Sequence, residues 1–199
     1  MKKLLCVFFT LIFISSLVSC DFSLKKVNNP FFFDDSVSEV KYSGKFFFYD
    51  VIEKDVIMYI RKVQNLKSGS LFKLELEHIE GFYDTERFLI GLFYVQEHDI
   101  YKINYTEENL EILLKNEIPE HSVIVCSEHE ILNPLDENEK GWHHYLKADG
   151  GIRSFYSYDN QTETGYYETF VWERNKGLIG YRSGYGAERE SIELSELIN

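Results

Sequence analysis

The feature that most constrains this chain is an apolar period of two, which recurs in several segments. Phe72, Leu74 and Leu76 alternate with Lys73, Glu75 and Glu77, and Val56, Met58 and Ile60 repeat the pattern. Successive side chains of a strand point to opposite faces, so this alternation predicts half-exposed β-strands. Phe88 to Val95 is an unbroken apolar run, as expected of a strand covered on both faces. Turn residues punctuate these runs. Asp149-Gly150-Gly151 separates Tyr145-Leu146 from Ile152 to Tyr158, and Asn175-Lys176-Gly177 separates Tyr166 to Glu173 from Leu178 to Arg182. Both read as hairpins, with Gly177 suited to a left-handed backbone.

One helix is predicted over 106–115. Thr106 is a cap, Glu107 and Glu108 suit the positive end, Leu110, Leu113 and Leu114 form one stripe, and Pro119 is the expected stop. The 14 Tyr and 16 Phe against three Pro favour sheet over disordered linker. The fold class is therefore mostly β. Nine or ten strands are expected in an antiparallel meander, as a curved sheet, sandwich or barrel-like form, with one short helix.

The N-terminus carries a different signal. Met1-Lys2-Lys3 precedes a largely apolar run from Leu4 to Val18, the layout of a secretory signal peptide and shorter than a lasting membrane span. Leu17-Val18-Ser19-Cys20 resembles the bacterial lipobox, in which an aliphatic and a small residue precede an invariant cysteine. The resemblance implies a lipoprotein of the cell envelope: lipid on the Cys20 thiol, cleavage after Ser19, and attachment to a membrane through that lipid. Two or three acyl chains make such an anchor stable where one is marginal. The expected organisation is a signal over 1–19, a membrane-proximal tether over 20–37 and one β-rich domain over 38–199. Phe31-Phe32-Phe33 is awkward in a free linker and is expected to dock on that domain.

Removing the signal leaves Cys126 as the one free thiol, so no disulfide within the mature chain is expected. It ends the run Ser122 to Cys126, which reads as a buried strand with a structural thiol. The signal also removes Lys2 and Lys3, leaving 19 basic against 33 acidic residues, a balance of −14. Nucleic acid is an unsuitable partner for such a surface.

No nucleophile elbow, P-loop or dinucleotide motif is present. His143 and His144 beside Trp142 invite a metal, but neighbours on a strand face opposite ways, so no metal or other cofactor is expected. Acidic pairs such as Glu163 with Glu168 meet glycosidase spacing by chance in so acidic a chain.

The densest region is the last sixty residues. On Tyr166 to Glu173, Tyr166, Phe170 and Trp172 fall on one face, and Tyr167, Thr169, Val171 and Glu173 on the other. Two aromatic faces admit two explanations. One is a sheet buried on both sides, with Gly180, Gly184 and Gly186 making room for neighbouring rings. The other is a ligand surface, for which Trp142, Tyr167, Trp172, Glu173, Tyr181, Arg182 and Tyr185 are the candidates. The leading functional expectation is a non-enzymatic module binding a glycan, peptide or envelope protein. A cell-envelope hydrolase and an assembly factor are the alternatives.

Overall fold

A computed structural model describes residues 28–48, 50–82, 87–129, 141–159, 161, 165–186 and 190–197. The chain is mostly β. Its strands are β1 (Glu39–Phe47), β2 (Val51–Asn65), β3 (Ser70–Glu77), β4 (Arg87–Val95), β5 (Asp99–Ile103), β6 (Val123–Ser127), β7 (Trp142–Asp149), β8 (Ile152–Asp159), β9 (Tyr166–Glu173), β10 (Gly177–Tyr185) and β11 (Ser191–Glu196). These eleven, one or two more than the sequence predicted, form a single sheet in the order β6-β5-β4-β3-β2-β1-β11-β10-β9-β8-β7.

Every pairing is antiparallel. All neighbours are adjacent in sequence except β1 and β11, where Tyr42 faces Glu196 and Phe47 faces Ser191. The chain thus forms two meanders whose outer strands, first and last, pair to make a nearly closed barrel. The remaining opening lies between β6 and β7. There β6 approaches β8, and Arg153 of β8 bridges the seam by donating from Nε to the Ser127 carbonyl at 2.9 Å. Bulges at Lys62/Gln64, Leu74/Glu75, Ile100/Tyr101 and Leu178/Gly180 add the local twist that curls so long a sheet.

The apolar faces read from sequence point into the barrel. Val56, Met58, Ile60, Phe72, Leu74 and Leu76 share one core with Phe93, Phe155, Phe170 and Trp172. Outside, β1 and β2 carry the ion pairs Lys41–Asp55 and Lys45–Glu53. An apolar lumen with a charged exterior is the reverse of a membrane-spanning barrel. From Ile90 to Val95 β4 is covered on both faces, as its unbroken apolar run predicted, whereas Leu89 at the start of the run is 44% exposed. Leu92 and Tyr94 point outward and join Leu71, Ile103 and Leu113 beneath the helix α1 (Glu107–Leu114). Thr106 caps α1 by accepting from the Asn109 N–H at 3.1 Å. The stop differs from expectation: the chain leaves the helix at Asn116, whose φ of 64° is left-handed, before Pro119 is reached.

One end of the barrel is plugged by the chain's own entry. Asn29 accepts from the Phe31 N–H at 2.9 Å and donates to the Gln96 carbonyl at 2.8 Å, turning Phe31, Phe32 and Phe33 inward. All three are buried, and Phe31 lies under the guanidinium groups of Arg153 and Arg174, 4.9 and 4.8 Å from its centroid. Phe33 occupies the space beside Gly177, where a Cβ would sit 2.4 Å from its ring. Gly177 also has φ +95°, so conformation and space both demand glycine there. The phenylalanines dock as their composition implied, and the folded unit begins by Asn29.

Candidate binding groove at the open end

Strand direction assigns residues to the two barrel ends. β1 and β10 run away from the plug, to Phe47 and Tyr185, while β2, β9 and β11 start at the far end with Val51, Tyr166 and Ser191. At this far end lies a surface groove of about 400 Å³. Its apolar walls are Phe47, Phe48, Val51, Tyr167 and Tyr185, and its polar groups are Asp50, Arg182, Ser191 and Glu193. Phe48, Val51 and Tyr185 expose 37%, 52% and 49% of their surface, so the apolar wall is open to solvent.

The register explains how the groove is built. Arg182 faces Thr169 on one side and Glu193 on the other, all outward, and its guanidinium stacks over the Tyr167 ring at 5.5 Å. Although Arg182 and Glu193 are register neighbours, Arg182 has no ion-pair or hydrogen-bond partner among the described residues. Two positions along, Gly184 lies between Tyr167 and Ser191. β10 and β11 approach so closely there that a Cβ would come within 2.4 Å of the Ser191 Cβ, and the missing side chain leaves the floor of the groove clear.

An aromatic rim continues from the groove around the barrel mouth. Tyr185 meets the Tyr166 ring edge-to-face at 5.5 Å, and Tyr166 stacks on Trp142 at 6.2 Å and 3°. Beneath this rim sits a buried polar cluster. Glu168 Oε1 accepts from the Tyr181 hydroxyl at 3.2 Å and the Tyr166 hydroxyl at 3.4 Å. Lys102 reaches across the lumen from β5 and donates to both Glu168 oxygens at 2.6 Å. Burial first, and the Glu168 charge second, push the hydroxyls of Tyr166 and Tyr181 well above the ordinary tyrosine range. Both stay protonated donors, and Tyr166 is held where it supports Trp142 and Tyr185.

The seven surface residues singled out from sequence therefore divide. Tyr167, Arg182 and Tyr185 line one groove, and Trp142 joins them through Tyr166. Trp172 and Tyr181 belong to the core instead, at 0% and 3% exposure. Their alternation placed them on the Phe170 face, and closure of the sheet put that face inside. Glu173 sits at the plugged end, ion-paired with Lys176. Among the glycines expected to make room for rings, Gly180 abuts Val171 and Gly184 abuts Ser191; rings lie instead against Gly44, Gly69, Gly91 and Gly177. Phe47, Phe48, Asp50 and Val51 escaped sequence reasoning because they lie more than a hundred residues from their groove partners. The Lys102–Glu168 pair, 66 residues apart, escaped it because only closure of the sheet brings β5 and β9 face to face.

The remaining candidates take structural roles. His143 and His144 face opposite ways, pairing in register with Tyr158 and Ser157. His144 stacks on Phe155, and desolvation holds its pKa below the ordinary histidine value. Among the described residues no group of three or more His, Cys, Asp or Glu side chains is placed to hold a metal ion. Cys126 is buried, and burial pushes its thiol well above the range in which thiolate chemistry operates. Glu163 lies outside the described residues. A second, more apolar cleft of about 330 Å³ lies at the β6/β7 seam, walled by Val123, Ile124, Leu146 and Phe155. No protein-family model matches this chain, and no curated protein matches its sequence.

Proposed function

We propose that this chain is a bacterial envelope lipoprotein, anchored through lipid on Cys20, that acts as a non-enzymatic binding module. The observation that carries this reading is the division of labour between the barrel ends. The chain leaves toward Cys20 from the plugged end, and the groove of Phe47, Tyr167, Arg182 and Tyr185 lies at the opposite end. Asn29 lies nine positions after Cys20, a reach of roughly 30 Å even when fully extended. An anchor on that tether keeps the plug near the lipid and leaves the groove facing away from it, toward whatever the envelope presents. The solvent-open rings and Arg182, which has no ion-pair or hydrogen-bond partner among the described residues, support ligand contact.

Two measurements test the two halves of this reading. Cys20→Ala is expected to abolish membrane fractionation and the lipid mass; a normal lipid-bearing mass in that variant would sink the anchor. For binding, the melting temperature is followed against cell-wall fragments, sugars and peptides. A ligand at about 100 times its dissociation constant stabilises a fold by roughly 2.7 kcal/mol. Shifts that vanish in Arg182→Ala support the module, and shifts that persist there move the site elsewhere.

A further inference from the structure

We infer that the groove takes a neutral oligosaccharide; this rests on the binding-module reading and names its ligand class. Three features of the site carry the choice. The first is backbone saturation. Phe47, Tyr167, Arg182 and Glu193 lie on the outer faces of β1, β9, β10 and β11, with Tyr185 at the strand end in the lumen-facing register, and each of these strands has a ladder partner on both sides. Their N–H and C=O groups are committed, so a peptide cannot be recognised here by adding a strand. The second is the arrangement of rings and polar groups. A sugar ring presents a face of C–H groups and a rim of hydroxyls. The half-exposed Tyr185 and Phe48 offer π surfaces to the first. The Arg182 fork, without an ion-pair or hydrogen-bond partner among the described residues, and the carboxylates of Glu193 and Asp50 offer donors and acceptors to the second.

The third feature is charge and size. Arg182 is the one cation among the described lining residues, set against two carboxylates in a protein with a large acidic excess. That balance repels anionic polymers and leaves neutral hydroxyl-rich ligands. A concavity of about 400 Å³ has the size of a small-ligand site and is far from the broad patch of a stable protein interface. Beyond the groove, the Tyr185–Tyr166–Trp142 rim extends the aromatic surface for further sugar units.

The test uses the full chain in detergent, titrated calorimetrically with cellotriose, mannotriose and a β-1,4-linked trimer of N-acetylglucosamine. A trigalacturonate and a set of extended peptides serve as the comparison arms. Saturable binding of a neutral trimer is expected, insensitive to added salt and weakened roughly tenfold or more by Tyr185→Ala and by Arg182→Ala. Both variants should melt with the parent, and Glu173→Gln, at the opposite end, should bind normally. Silence toward all three neutral sugars, or binding untouched by both groove variants, overturns the inference. If peptides or trigalacturonate bind instead and Arg182→Ala abolishes that binding, the glycan assignment falls while the module stands. Silence in every arm takes down both.

Discussion

The two ends of this barrel use aromatic side chains in opposite ways. At the plugged end, Phe31, Phe32 and Phe33 are taken out of water, and even the surrounding charges serve the core, with Arg153 and Arg174 lying over Phe31. At the open end, Phe48, Trp142 and Tyr185 remain between about a third and a half exposed, and Tyr166, held by Glu168, steadies Trp142 and Tyr185 from below. The contrast teaches that aromatic density does not by itself mark core or surface. What separates the ends is whether another segment covers the rings. The entering chain does so at one end; at the other the β3–β4 turn buries Ile79 and Phe82 against Phe46, and Phe48, Trp142 and Tyr185 lie beyond that cover.

The largest effect expected is at alkaline pH, where the comparison between ends should disappear. Tyr42, Tyr166 and Tyr181 all have raised pKa values, chiefly from burial. A raised folded value means that their contribution is complete below the unfolded tyrosine value near 10. It is lost as the pH rises from there toward the folded values. Three such groups give a slope of about 4 kcal/mol per pH unit above 10. Folding followed by circular dichroism should collapse together with the appearance of tyrosinate absorbance. Tyrosinate signal from all three while the fold persists would contradict their burial.

Next in size is the plug itself. Phe31→Ala should cost about 3–5 kcal/mol in denaturant unfolding, since it empties a fully buried ring site. If it costs less than about 1 kcal/mol, the entering segment is an accessory and the plug comparison fails.

The polar cluster beneath the rim comes third. Glu168→Ala should destabilise by about 3 kcal/mol, at the low end for a broken buried pair because Lys102 keeps 26% of its side chain exposed. The paired replacement of Lys102 by Met and Glu168 by Leu should recover most of that loss. A double variant as unstable as the single one would mean that the hydrogen bonds to Tyr166 and Tyr181 matter more than the ion pair.

The smallest change in stability sharpens the comparison most. Tyr185→Ala should alter unfolding free energy by about 0.5 kcal/mol or less, despite removing a ring as large as those in the plug. A loss similar to that of Phe31→Ala would make the open end a second core and remove the basis for a binding surface.

Much of the architecture was legible in local sequence, for a definite physical reason. Strand alternation, the Asp149-Gly150-Gly151 turn, the Thr106 cap and the two-sided burial of β4 are all governed by neighbours within a few residues. The phenylalanine triplet was legible because three such rings are costly to leave in water. By itself, the sequence determined which residues share a face, where the chain turns and that it folds as sheet.

Only the tertiary structure decided which face became the inside. Trp172 and Tyr185 carry similar local signals, yet one is fully buried and the other half exposed. The deciding events are the pairing of β1 with β11, the curl imposed by four bulges and the entry of residues 29–33 into one end. These contacts join residues up to about 150 positions apart, and no local propensity encodes them. The Lys102–Glu168 pair and the groove between the β1–β2 turn and β10 exist because closure brings distant strands together.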